Sequence, residues 1–311
     1  MPLAIANPDC APIGLDDFTV MIDRLPERSD GGIDPRDAAP ALGALARNRD
    51  FLPQLILDEL KRHCVGQVAL NRYGAQVILI ARRRGRYIVR ANIWPARDDP
   101  EYRANGPDHY FYGRPHDHNF DFLTVGYLGP GYVSDYYDYG EGVDNRIITG
   151  HVGEAVPLRF IERSALGEGR MLLYRAGIDI HCQWPPASLS ISLNVMDSGA
   201  PIRWRNQYTI DLDRRTVERN MAVAASECLL AVAVHYGGNG LDLAHDFAAR
   251  HPSARMRWSA VQAIATSYAD SGQRAAWYDR MAASDCALVA HECTRRLHRA
   301  ECPTRADRTG S

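Results

Sequence analysis

The sequence predicts a mainly antiparallel β domain followed by a helical domain. From about residue 66 to 212 the chain passes through short β-branched and aromatic runs punctuated by glycine and aspartate, the pattern of a sandwich or barrel. Nothing between those runs has the length of a crossover helix, which argues against a parallel α/β sheet. From about Arg214 the texture changes to alanine-rich stretches with apolar residues three and four apart.

Taken in order, residues 1–50 are rich in proline and aspartate, with short helical patterns at Leu15–Leu25 and Pro35–Arg47 parted by Gly31-Gly32, and read as a helical arm. Residues 51–213 open with a helix at Leu52–Cys64. The strand candidates follow: Gly66–Tyr73, Ala75–Arg82, Arg86–Ile93, Asp121–Leu128, Tyr132–Tyr139, Val156–Ser164, Arg170–Arg175, Ser188–Val195 and Tyr208–Leu212. Residues 214–311 carry helical stretches at Val217–His235, Leu241–His251, Ala254–Tyr268, Gln273–Ala283 and Ala287–Arg299. The phrases beginning at His251-Pro-Ser-Ala-Arg and Ser284-Asp-Cys-Ala-Leu are alike, each a polar turn before a helix. They resemble HEAT-type repeats, and a plain antiparallel bundle fits them equally.

Composition bounds the function. The 311 residues carry a net charge of −2, 46% hydrophobic and 24% charged side chains, and Lys61 is the sole lysine. No basic face predicts nucleic acid or an anionic membrane as a partner. The longest apolar run, Cys228–Tyr236, is far too short for a membrane helix. Met1–Leu15 does not read as a secretory signal. Seven cysteines without a CxxC pair encode neither a disulfide framework nor a zinc–thiolate site, so a reducing cytoplasm is predicted.

Chemistry concentrates in Gly113-Arg-Pro-His116-Asp-His118-Asn-Phe-Asp121-Phe122, which runs on to Gly126 and Gly129. Two histidines one residue apart on a strand share a face, so their imidazoles can reach one metal ion. His181, after Gly177, sits where an adjacent antiparallel strand would supply a third nitrogen. Asp121 is a rival ligand or acid–base group, although strand parity turns it from His118 unless a bulge re-aims it. Arg114 and Arg90 are candidates to hold a substrate carboxylate, or else rim arginines facing solvent. Tyr127 and the Tyr132–Tyr139 run line an aromatic pocket or form a half-buried strand. His109 and His151 flank the strands. In His291-Glu-Cys-Thr-Arg-Arg-Leu-His298 the histidines stand seven apart, which fails the zinc-protease spacing.

The His116/His118 pair with Gly129, and more loosely Ala176-Gly177-Ile-Asp-Ile-His181, resemble the two motifs of the cupin superfamily over about residues 66–212. The resemblance implies a double-stranded β-helix, or jelly roll. The family's glutamate position falls on Phe122 or Leu123, which cannot bind metal, and Asn194 lies further on than the second motif asks. A three-histidine site of His116, His118 and His181 follows, similar to that of iron-dependent cupin dioxygenases. No Ser-x-His-x-Tyr follows His181, so thiol substrates are not carried over. The resemblance implies Fe(II), O2 and a small, anionic or amino-acid-derived substrate. The Asp135–Gly153 interval, rich in Gly, Asp and Tyr, is expected to form a loop over the barrel mouth. Two alternatives stay open: a non-redox isomerase, epimerase or lyase, and a binding module whose helical tail engages a protein partner. Homodimerisation through edge strands or that tail is also expected.

Overall fold

The structure is a computed structural model that describes residues 1–301 apart from Arg72, Ala75, Glu141, Gly142 and Val223, and the side chains of residues 299–301. Parts of the expected Gly66–Tyr73 and Ala75–Arg82 strands, the 135–153 loop, the Val217–His235 helix and the 214–311 domain therefore lie outside the described residues. Two compact units emerge: residues 1–146 with 156–216, and residues 147–155 with 217–311.

In the first unit, β1 (Leu3–Ile5), β2 (Val77–Arg83), β3 (Tyr87–Trp94), β4 (Phe122–Leu128), β7 (Met171–Tyr174) and β9 (Ser190–Asp197) form one antiparallel sheet in the order β1-β7-β4-β9-β3-β2. A smaller antiparallel sheet has β5 (Val133–Asp138) between β6 (Arg159–Ala165) and β8 (Asp179–Trp184). The His116 segment adds to its free edge: His116 and His181 exchange both backbone hydrogen bonds at 3.0 Å. Including that segment, the sheets read β3-β9-β4-β7 and 116-β8-β5-β6. The chain alternates between them in the order of an eight-stranded jelly roll. A short helix, α5 (Pro100–Asn105), lies in the connection from β3 to the histidine segment, and β10 (Tyr208–Asp211) follows β9.

Period-two alternation then sorts the side chains into two layers. Val89, Ala91, Leu123, Val125, Leu193 and Val195 point outward and pack under α1 (Leu15–Asp23) and α2 (Ala39–Arg47) through Phe18, Ile22, Leu42 and Leu45. The opposite parity, including Trp94, Phe122 and Met196, points between the sheets and meets Tyr132, Tyr136 and Tyr174. The amino-terminal arm is thus the roof of the large sheet, and its first residues are an edge strand, Leu3 opposite Leu173. Glycine is required where β4 meets the β6–β7 turn: a Cβ on Gly126 would lie 2.1 Å from the Gly167 carbonyl oxygen.

Several expectations are corrected. Where the Gly66–Tyr73 strand was expected, α4 (Val65–Leu70) is a short helix, following α3 (Phe51–Lys61). The Gln67 side-chain amide completes the pairing instead, donating to the Leu79 carbonyl at 2.9 Å and accepting its N–H at 2.8 Å. The strand candidates omit β8, which carries His181 antiparallel to the His116 segment, the neighbouring position from which a third nitrogen was expected. The Val217–His235 stretch begins as β11 (Thr216–Asn220), because Val217 pairs its backbone with Gly153 and Glu154, and turns helical only at α6 (Ala225–Tyr236). Of the expected Asp135–Gly153 loop, the start belongs to β5, and residues 147–153 belong to the second unit.

The second unit contains α6, α7 (Gly240–Arg250), α8 (Ala254–Ser267), α9 (Ser271–Ala282) and α10 (Ala287–Glu301). Small side chains such as Ala244, Ala248 and Ala260 let these helices approach around Val261, Ile264, Trp277 and Val289. Both repeated phrases fall on a turn before a helix, α8 and α10. Ser253 caps α8 by accepting the Met256 N–H at 3.3 Å.

Candidate metal centre

Three histidines meet between the sheets. His116 and His118 come from the edge segment and His181 from β8, all buried, with one ring nitrogen of each within 4.8 Å of the others. The Nε2 atoms of His118 and His181 are 3.1 Å apart, as are those of His181 and His116.

The contacts fix much of the protonation. His116 Nδ1 lies 2.7 Å from the Arg114 carbonyl oxygen, which only accepts, so Nδ1 carries the proton and Nε2 presents a lone pair. His181 Nε2 shares its two contacts between His116 and His118, and a single proton cannot serve both in good geometry. A cation satisfies all three nitrogens at once. Nitrogens bound at about 2.1 Å and at right angles would stand about 3.0 Å apart, close to the spacing seen. The donor set therefore fits a divalent ion, and no carboxylate among the described residues joins it. Nδ1 of His118 and of His181 is buried with no hydrogen-bond partner among the described residues. Burial drives the His116 pKa down to about 4, and burial, with the neighbouring rings, holds His118 and His181 well below the ordinary value. Neutral imidazole is the form that binds metal.

The pair is held by the residue between them. Asp117 faces away from the rings and is fully buried. It accepts the Tyr208 N–H at 2.6 Å, the Tyr139 hydroxyl at 2.9 Å and the Asn145 amide at 2.8 Å. Burial pushes its pKa up to about 6 against the pull of those bonds. Gly177 fastens the other side, donating its N–H to the His118 carbonyl at 2.7 Å. Its φ of +67° is one that glycine adopts without strain.

A cavity of about 260 Å³ opens beside the rings. Arg90 lines it, together with Asn92, Gln183, Asn194 and aromatic side chains. Arg90 stacks on the Tyr73 ring at 4.6 Å, forms no ion pair with a carboxylate among the described residues, and leaves Nε buried without a partner. Desolvation lowers its pKa.

Other candidates do not reach this cavity. Arg114 turns out to pair with Asp108 at 3.1 Å, and only its carbonyl touches the site. Tyr127 has the outward parity of Leu123, packs edge-on against Phe51 and donates to the Asn48 carbonyl. Asp121 precedes β4 without a bulge to re-aim it, and its carboxylate accepts the Ala176 N–H at 2.7 Å and lies 3.6 Å from Arg28. His109 is exposed. Asn92 and Gln183 were missed, although each follows Arg90 or His181 by two residues and inherits its face. Asn194, the displaced asparagine of the second motif, does line the cavity and accepts the Thr124 hydroxyl at 2.7 Å.

No protein-family model and no curated protein matches this chain. Among solved structures, it is similar to a cupin domain from Bordetella pertussis Tohama I, at 15% identity, 41% of this chain, 97% of that one and a TM-score of 0.23. It is also similar to hydroquinone 1,2-dioxygenase from Sphingomonas sp. TTNP3, at 14% identity, 43% and 72% coverage and a TM-score of 0.25. A third likeness is the DMSP lyase DddQ from Ruegeria pomeroyi DSS-3, at 13% identity, 62% and 77% coverage and a TM-score of 0.23. The β unit is a jelly roll. That assignment stands on its own strand order, with the helices following it.

Proposed function

We propose that this chain is a metal-dependent enzyme in which His116, His118 and His181 hold Fe(II) and a small anionic metabolite, amino-acid-derived or a simple carboxylate, is oxygenated with O2. The observation that carries the reading is the convergence of three neutral imidazoles beside a cavity lined by the Arg90 guanidinium, with no carboxylate among the described residues joining the one or pairing with the other. A bound divalent ion would supply Lewis acidity and, as iron(II), a site for O2.

The chain's own residues do the rest. Three neutral ligands leave the ion's charge uncompensated, which favours an anionic substrate. Arg90 offers a directional, permanently charged partner for a carboxylate. Asn92, Gln183 and Asn194 supply polar groups to orient it. Trp94, Phe122 and Tyr132 exclude water and confine the reacting groups. The HEAT-like reading of the helical unit, with a protein partner or a second copy docking there, belongs to this proposal. So does a cytoplasmic setting; no helix among the described residues is long and apolar enough to cross a membrane.

The test is oxygen consumption by iron-loaded protein across a panel of small carboxylates, amino acids and their neutral amides. Uptake with an acid and not its amide, absent from the His118→Ala variant, supports the reading. Turnover of an acid without oxygen uptake would replace it with a non-redox lyase or isomerase. Ligand binding without turnover would leave a binding module.

A further inference from the structure

A second cluster of donor groups lies within the unit formed by residues 147–155 and 217–311. His151, His291 and the buried Glu292 bring one ligand-capable atom each to within 4.8 Å of one another. His151 comes from the segment between β5 and β6, and the other two from the second turn of α10.

His151 is oriented as a metal-binding histidine is. Its Nδ1 lies 2.8 Å from the Thr149 hydroxyl oxygen, and that hydroxyl donates its only hydrogen to Glu154 at 2.9 Å. The ring must therefore donate from Nδ1, which leaves the Nε2 lone pair free to bind. Glu154 is committed to this scaffold: it also accepts the Thr149 N–H and the Gly150 N–H, both at 2.7 Å. The turn is pinned in place, since Gly153 and Glu154 pair their backbones with Val217.

Opposite, His291 stacks on His151 with ring centroids 3.7 Å apart, and its Nε2 is buried without a hydrogen-bond partner among the described residues. Glu292 is held at 2.5 Å by Arg295, a half-exposed side chain that can swing away. Two imidazole nitrogens and a carboxylate are a donor set for zinc and its neighbours in the first transition row. Nearly parallel rings, 16° apart, do not aim both lone pairs at one point, so binding would fan them apart by side-chain rotation.

We propose that His151, His291 and Glu292 form a second divalent-metal site, of the zinc class, which fastens the 147–155 segment to α10. The site is independent of the three-histidine centre and of the reaction proposed there.

The experiment is calorimetric titration of Zn2+ into chelator-treated, full-length protein. The wild type, a His116→Ala/His181→Ala double variant, and each of these with His291→Ala are compared. One equivalent should persist in the double variant and vanish when His291→Ala is added. Thr149→Val keeps all three ligands and loses only the orientation of His151, and should weaken that equivalent by about 10- to 100-fold. Arg295→Gln should tighten it by freeing Glu292. Zinc should also raise the melting temperature of the wild type and not of His291→Ala. If His291→Ala fails to fold, the Thr149→Val and Arg295→Gln affinities carry the test. No zinc bound by the double variant would overturn the proposal, as would an equivalent indifferent to Thr149, His291 and Arg295. Failure of the three-histidine site would read differently: the wild type would then bind a single equivalent, still lost in His291→Ala.

Discussion

Replacing Asp117 tests how the histidine pair is held. Its carboxylate receives three hydrogen bonds in a site without solvent: Tyr208 N–H on one oxygen, and the Tyr139 hydroxyl and Asn145 amide on the other. Asp117→Ala strands two buried donors, the Tyr208 N–H and the Tyr139 hydroxyl, and removes one acceptor from the half-buried Asn145 amide. At about 1–3 kcal/mol for each abandoned group, and with partial repair by entering water, the loss should be about 3–6 kcal/mol. Asp117→Asn is a different perturbation. Its oxygen can keep the Tyr208 N–H, the tyrosine hydroxyl can accept from the new amide, and the Asn145 amide can turn over. The variant also relieves the burial of a charge, so its cost should stay below about 1.5 kcal/mol. Urea unfolding of both variants beside the wild type, followed by near-ultraviolet circular dichroism of the aromatic core, measures the two losses. An alanine variant within about 1 kcal/mol of wild type, or an asparagine variant as damaged as the alanine one, would refute this account of the segment.

Three further outcomes follow from the same geometry. Arg90→Gln should weaken binding of a small carboxylate by about tenfold or more while leaving the metal content unchanged, read by calorimetry with the anion and by metal analysis; equal affinity in both proteins would remove Arg90 from the anion site. Arg163 holds the Asp135 carboxylate below the ordinary value of 3.8, helped by Trp184 and opposed by burial. A lowered carboxylate pKa stabilises above the unfolded value and loses that contribution as pH falls through the folded one. The stability gap between wild type and Asp135→Asn should therefore be full above pH 3.8 and close below it, and a gap that widens on acidification would contradict the pairing. Gly131, at φ +81°, would place a Cβ 1.9 Å from the Leu166 carbonyl oxygen, so Gly131→Ala should cost more than about 1 kcal/mol in a thermal melt, against no loss if the turn can relax.

Much of this molecule is legible in the sequence where short-range rules apply. The alternating runs at Arg86–Ile93 and Asp121–Leu128 become β3 and β4 almost residue for residue, because each buries two different faces and alternation records both. The same rule, pushed one step further, places Arg90 inside with Asn92 and turns Tyr127 outward with Leu123. Alternation does not say which face is the cavity. That depends on α1 and α2 roofing the odd-parity side, a contact between segments far apart in sequence. Gly66–Tyr73 misleads because Val68 and Leu70 are spaced like the apolar residues of a strand, yet they stay exposed on a helix while Gln67 supplies the strand-like hydrogen bonds. β8 hides because Asp179 and Gln183 interrupt its apolar pattern, and both are polar for structural reasons: Asp179 binds Arg175 at 2.7 Å, and Gln183 faces the cavity. The pairing of His151 with His291 brings together positions about 140 apart, and no local periodicity could announce it.

Everything proposed for the β unit depends on His116, His118 and His181 binding one metal ion. The most direct test is elemental analysis of protein purified from iron-supplemented cells, with His116→Ala and His181→Ala prepared alongside and their fold checked by circular dichroism. If the three histidines hold the ion, the wild type carries about one equivalent of iron that is lost in both variants. Iron absent from the wild type, or retained unchanged in folded variants, would contradict it.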